Sequence, residues 1–396
     1  MPIDLVIDAD GHCSEPEEEL ARWMPPEYAP RAPIRIKDNL GQPRILLEGR
    51  VWGKSEGLGP SVSGPFAPHI RLSRPGMRDP LQRLPDMDEE GVDVAIIFGT
   101  SVALTVNGLM DKGLAAAICH AVNRWLLEEY CVVNPKRLKA VGLIPCQDPP
   151  AAAKELEWLA AHGAVAAMLP TNVYGINLGD RRFDPIYETA QALGMPLAVH
   201  PQTGHDGQYG VYGVMGAGSE RMEKYSYVHM TAFPFELMIA LMHLIGEGVF
   251  DRYPKLKVAF MEGGAGWIPY WMERLDEHFE KLRPQWPHCQ RRPSEIIRSE
   301  QVAFTCEPEE HTLPWVLAMV GETQIMYASD YAHWDSEFPE SVRKLAAVPG
   351  LSEAQRRRLL GHNALAWFGL KESELPTESV YFGKQAAAAP ERALGR

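Results

Sequence analysis

The chain contains no C-x-x-C pair. Cys13, Cys119, Cys131, Cys146, Cys289 and Cys306 are scattered over 396 residues. That spacing excludes a disulfide framework and predicts free thiols in a reducing compartment such as the cytoplasm. Positive charge is scarce: 39 Lys and Arg face 52 Asp and Glu, for a net charge of −13. A surface so poor in clustered cations argues against nucleic acid as a partner and leaves a small molecule as the expected one. No run of about 18 apolar residues is present, so no membrane span is expected. The opening stretch, MPIDLVIDADGHCSEP, lacks the basic-then-apolar pattern of a secretory leader. No internal repeat is visible.

What the chain does have is 45% hydrophobic residues, ample for a large core. Short apolar runs at 4–8, 92–98, 138–145, 164–170, 195–200, 256–262, 302–307 and 325–330 do not alternate with polar residues, as burial on both faces requires. Amphipathic helical stretches at 114–131, 150–162, 184–194, 235–248 and 267–282 lie between them. Eight strands alternating with helices predict an α/β fold, a distorted (β/α)₈ barrel with long loops at its carboxyl-terminal face. A doubly wound open sheet is the alternative. One domain is expected over 1–370, with a Pro- and Gly-rich insertion at about 24–80 covering the barrel mouth and a tail over 371–396. A Gly- and Tyr-rich loop at 203–230 is expected as an active-site wall or lid.

The first apolar run ends in Asp8-Ala9-Asp10-Gly11-His12. Residues two apart on a strand share a side, so Asp10 and His12 can converge on one ion, with Asp8 one layer deeper and Gly11 permitting close backbone approach. His200 ends the fifth run, Glu262 the sixth and Asp330 the eighth. A carboxylate at a buried strand end must be paired, protonated or ligating. A barrel brings four such ends to one face, which predicts a metal site. Glu307, ending the seventh run, is expected in a salt bridge, and His205 as a solvated loop residue. Tyr209, Tyr212, Tyr225, Tyr227, Trp267, Trp271 and Trp334 hint at a large aromatic substrate, although the helical spacing of Trp267 and Trp271 favours core packing.

These residues carry a resemblance. IDADGH is similar to the first-strand motif I-D-x-H-x-H of the amidohydrolase superfamily. Residues 86–97, 183–201, 248–267, 327–335 and 361–370 resemble, in order, its branch of aminocarboxymuconate-semialdehyde and aromatic-acid decarboxylases. The resemblance implies a divalent metal held by Asp10, His12, His200 and Asp330, with Asp330 also moving a proton, and a homodimer. Two departures add carboxylates: Asp10 replaces the first histidine, and Glu262 replaces a sixth-strand histidine. An oxygen-rich set of Asp10, His12, His200, Glu262 and Asp330 favours Fe²⁺ or Mn²⁺ over Zn²⁺, as one ion or two. His229, expected just before a helix, and His333 are further catalytic candidates beside Asp330.

The leading expectation is hydrolysis of an ester, thioester or amide-like bond, possible for a bulky acyl group on a carrier such as coenzyme A, through metal-activated water. The alternative is metal-dependent non-oxidative decarboxylation of an aromatic or unsaturated carboxylic acid. An inactive barrel scaffold fits the motif changes but not the retention of four ligand candidates.

Overall fold

The computed structural model describes residues 4–39, 41–53, 57–60, 74–202 and 216–383. Eight parallel strands form one sheet in sequence order: β1 (Ile7–Cys13), β2 (Val94–Gly99), β3 (Leu138–Leu143), β4 (Ala166–Leu169), β5 (Leu197–Val199), β6 (Val258–Phe260), β7 (Val302–Cys306) and β8 (Ile325–Tyr327). Every strand residue except Lys139 is buried, as the unalternating apolar runs require. The strand order shows no reversal, so the sheet is not doubly wound. The chain following β8 returns to β1: the Asp330 N–H donates to the Asp10 carbonyl at 3.0 Å, and the His12 N–H donates to the Tyr331 carbonyl at 2.8 Å. These bonds close a (β/α)₈ barrel.

Helices surround it: α1 (Pro80–Glu90), α2 (Lys112–Trp125), α3 (Pro149–Ala161), α4 (Asp184–Leu193), α5 (Tyr225–Gly246), α6 (Ile268–Lys281) and α7 (Leu313–Val320). Asp79, Asp111 and Asp148 cap the first three by accepting from free first-turn N–H groups. Helix α5 begins ten residues before the expected start at Phe235 and carries Pro234 inside it. A proline inside a helix removes one backbone donor. Burial of Val228, Ala232, Phe233 and Leu237 holds the helix across it. By length and composition α5 is apolar enough to cross a membrane, yet half of that stretch is buried inside the molecule. Its buried Glu236 accepts hydrogen bonds from Thr171 Oγ1 at 2.9 Å and Asn172 Nδ2 at 3.1 Å, as suits a core helix.

Within the insertion, residues 34–37, 43–47 and 50–52 make a small antiparallel sheet. It docks on the loop after β2, where Glu48 accepts from the N–H groups of Met110 and Asp111. The remainder of the insertion at 61–73, most of the expected lid (203–215) and residues 384–396 lie outside the described residues. The tail up to Leu375 packs into the same core as the strands.

Strand β1 runs through Asp10 and His12 to Cys13, one residue beyond the expected polar end at His12. Its register against β2 shifts between Asp8 and Gly11, and the bulge re-aims Asp8. Asp8 is thus not a simple deeper layer of the site. Its carboxylate accepts from the Ser329 N–H at 2.8 Å and the Ser329 Oγ at 2.6 Å, clasping β1 to the segment after β8. The buried Arg83 fills the space beside Gly11, donating to the His12 carbonyl at 3.0 Å and lying 3.6 Å from the Tyr331 ring centre. A Cβ on Gly11 would approach Arg83 Nη2 to 2.5 Å and Asp8 Oδ2 to 2.7 Å. Gly11→Ala should therefore destabilise the fold by about 2 kcal/mol through overpacking at the clasp. A urea midpoint unchanged from wild type would show that the close approach is not needed.

Candidate metal centre

The barrel gathers the predicted strand-end residues at one point. Asp10 and His12 project from β1, His200 follows β5, Glu262 follows β6, and Asp330 follows β8. Glu262 and Asp330 occupy left-handed backbone conformations, with φ of 52° and 51°. Non-glycine residues adopt these only where surroundings enforce them, and such outliers cluster at functional sites. The Glu262 turn is held by its N–H donating to Thr305 Oγ1 at 2.9 Å, and the Asp330 turn by the barrel-closing bond to Asp10.

Donor atoms of Asp10, His12, His200 and Glu262 lie within 4.8 Å of one another, as do those of His12, Glu262, Asp330 and His333. His12 Nε2 is 3.5 Å from Asp10 Oδ1 and 3.3 Å from Asp330 Oδ1; His200 Nε2 is 2.9 Å from Glu262 Oε2. Both Asp10 oxygens, His12 Nε2, His200 Nε2 and Asp330 Oδ1 are buried without a hydrogen bond of acceptable geometry. Buried polar atoms are rarely left so, and five converging on one point fit a cation. The imidazoles are prepared for one. His200 Nδ1 lies 2.8 Å from the Pro201 carbonyl, which places a proton there and leaves the Nε2 lone pair facing the cluster.

Electrostatics point the same way. Burial pushes the Asp10 carboxyl up to about 8 against the pull of His200, with Glu262 and Asp8 adding to the rise. Burial raises Asp330 well above the carboxylate range, His333 opposing and Glu262 adding. Burial, with His333 and His200 nearby, lowers His12 and keeps it neutral, the ligand form. Burial would raise Glu262 too, but His200 and His333 hold it well below its ordinary value. Burial works against a charged His333, yet Asp330 and Glu262 overcome it and raise that imidazole. Crowded carboxylates in a desolvated pocket repel one another, and a divalent cation relieves that repulsion.

His333 belongs to this cluster, its Nδ1 lying 2.6 Å from Asp330 Oδ1 and its ring 4.1 Å from that of His12. His229 is inside α5, not before it, and is absent from the donor groups. It stands in an aromatic wall with Phe233, Trp334 and Tyr225, its Nε2 3.7 Å from Asp335. The Trp334 indole N–H donates to the Tyr225 hydroxyl at 2.9 Å. Tyr227 points outward at 49% exposure. Trp267 packs edge-on against Phe304, and Trp271 donates to the Met238 carbonyl, so both are structural. His205, Tyr209 and Tyr212 lie outside the described residues. The salt bridge expected at Glu307 is absent among the described residues: burial and the neighbouring Glu310 raise its carboxyl well above the usual range instead. Thr100, just past β2, was missed. Its hydroxyl lies 2.9 Å from His12 Nδ1, and the strand-end logic that found His200 would have reached it.

Residues 7–370 match the family described as amidohydrolase. The chain belongs to the amidohydrolase family. Among its relatives, a 2-amino-3-carboxymuconate-6-semialdehyde decarboxylase from Dictyostelium discoideum is 27% identical over 74% of this chain and 77% of its own length. A gamma-resorcylate decarboxylase from Polaromonas sp. is 26% identical over 76% of this chain and 90% of its own. A dihydroxybenzoic acid decarboxylase from Polaromonas sp. JS666, solved with bound manganese and the inhibitor 2-nitroresorcinol, shares the fold with a TM-score of 0.64 at 22% identity, over 94% of this chain and 99% of that one. These amidohydrolase relatives overturn the expectation of a hydrolase, since each is named a decarboxylase. That expectation leaned on the replacement of the sixth-strand histidine by Glu262. The Glu262 oxygens face two histidines, Oε2 towards His200 and Oε1 towards His333 at 3.7 Å.

The raised Asp10 carboxyl sets a pH dependence. A folded-state value above the unfolded one contributes stability at low pH that is lost as pH rises through about 8. Chelator-treated protein should therefore fall in Tm between about pH 5 and pH 8, and Asp10→Asn should flatten the fall and be the more stable of the two at the upper end. Equal slopes in scanning calorimetry would rule out Asp10 as the source.

Proposed function

We propose that the protein is a metal-dependent non-oxidative decarboxylase of an aromatic or unsaturated carboxylic acid. The observation that carries this reading is the buried donor cluster facing an aromatic wall, with a proton-holding imidazole, His333, lying against Asp330. Kinship with named decarboxylases supports it.

Asp10, His12, His200 and Asp330, with Glu262 beside them, would hold one divalent ion. Both donor groups include His12, and an imidazole nitrogen has one lone pair to give, which supports a single ion. Oxygen-rich ligation favours Mn²⁺ or Fe²⁺, and the manganese in the dihydroxybenzoic acid decarboxylase supports Mn²⁺. When bound, the ion supplies a positive anchor for the substrate carboxylate and a neighbouring oxygen. Three ionised carboxylates, one divalent ion and a protonated His333 sum to neutrality, so a substrate anion meets no net negative charge. Loss of CO₂ breaks the carbon–carboxylate bond, and the electron pair left on the carbon takes up one proton. His333, held between Asp330 and Glu262, donates that proton and regains it from solvent. Trp334 and Tyr225 offer faces against which a planar ring stacks, and His229 with Asp335 borders them.

The outward face of α5 carries Tyr227, Met230 and Phe235, and Tyr270 on α6 and Trp315 on α7 are exposed too. This apolar surface supports a homodimer, which light scattering on the eluting protein tests. Six free, buried cysteines support a reducing compartment.

Manganese-loaded protein should release CO₂ from members of a dihydroxybenzoate and unsaturated-acid panel, leaving deuterium at the vacated carbon in D₂O. His333→Ala should lose roughly 10²–10⁴-fold in rate at unchanged metal content. Absence of CO₂ from the whole panel at full metal occupancy would sink the reading. Plasma mass spectrometry should find one ion per chain, and two would refute the single-ion shell.

A further inference from the structure

His12 has two ring nitrogens with opposite duties. Nε2 points into the donor cluster, where only a lone pair is useful, so the proton must sit on Nδ1. A neutral imidazole free to exchange tautomers presents that lone pair only part of the time. The nitrogen bearing the proton faces the Thr100 hydroxyl at 2.9 Å. The same oxygen lies 3.2 Å from His333 Nε2, and His333 Nδ1 lies 2.6 Å from Asp330 Oδ1. The contacts thus form a path from one candidate ligand to another: His12, Thr100, His333, Asp330.

We propose that Thr100 is the positioning residue of this site: by accepting the His12 Nδ1 proton, its hydroxyl fixes the tautomer that presents Nε2 to the cation. A hydroxyl has two lone pairs and one proton. One lone pair is committed to His12. The other lone pair or the proton meets His333 Nε2, so Thr100 accepts from a charged His333 ring or donates to a neutral one without releasing His12. His200 receives the equivalent service from the Pro201 backbone carbonyl, which has no proton to give. The difference fits location, because the His12 ring lies 4.1 Å from that of His333. The inference rests on the proposed metal site and on no choice of reaction.

The test compares Thr100→Val, which keeps the shape and removes the hydroxyl, with Thr100→Ser, which keeps it. Zinc serves as a diamagnetic probe. Chelator competition should show about 10–100-fold weaker zinc binding for Thr100→Val and recovery to within about threefold for Thr100→Ser. A nitrogen–proton correlation spectrum of the zinc-loaded wild type should show His12 protonated at Nδ1 and metal-bound at Nε2. Wild-type affinity in Thr100→Val, or a His12 Nδ1 without a proton, overturns the proposal. Should Thr100→Val fail to fold, the wild-type spectrum and Thr100→Ser still decide. Failure of decarboxylation with these results intact would remove the reaction and leave the role of Thr100 standing.

Discussion

The junction between the first and last strands governs both the barrel and the site. Two backbone hydrogen bonds close it, from Asp330 to Asp10 and from His12 to Tyr331, and each joins residues of the donor cluster or their immediate neighbours. The Asp8 carboxylate grips Ser329 beside them, and Arg83 braces the β1 backbone from behind. Closure and ligand placement are therefore one event. The donor atoms cannot drift by much unless the barrel opens, which is the rigidity a site needs to bind a cation tightly and hold a substrate in register.

The same junction explains why so much negative charge is tolerated. Asp8, Asp10, Glu262 and Asp330 are all buried or nearly so, an arrangement that is costly unless each charge has a partner. Asp8 is satisfied by Ser329 and by the nearby Arg83. Two histidines hold Glu262 ionised. Asp10 and Asp330 are pushed up towards their neutral forms, and they flank His12 Nε2. Negative charge is thus gathered where a cation would sit.

The eight strands were legible because their apolar runs leave no alternative to burial on both faces, and the donor residues because polar side chains at the ends of such runs have nowhere neutral to go. Helix α5 was misjudged at its start: a single proline is a strong local signal, and packing of Val228, Ala232 and Phe233 overrides it. The clasp at Asp8 depended on a bulge, which shifts register without marking the sequence. Glu307 looked like half of an ion pair, but no cation reaches it among the described residues. Thr100 carried no charge and so drew no attention, although its hydroxyl bridges two rings of the cluster. The choice of reaction could not be read from ligand identity, since an added carboxylate suits a hydrolase or a decarboxylase equally well; the named relatives turned that reading.

Asp8 and Ser329 are 321 residues apart along the chain, and the donor cluster is divided in the same way, with Asp10 and His12 near one end and Asp330 and His333 near the other. His200 and Glu262 lie between them, so a chain that stops short of Asp330 holds an incomplete set. Such a site cannot template folding as a compact zinc finger does, where local ligands gather around the metal as the chain collapses. An ion that needs all of these donors would be loaded on a completed barrel. Its identity would then follow the pool that the finished protein meets, rather than whichever ion is present while the chain is being made.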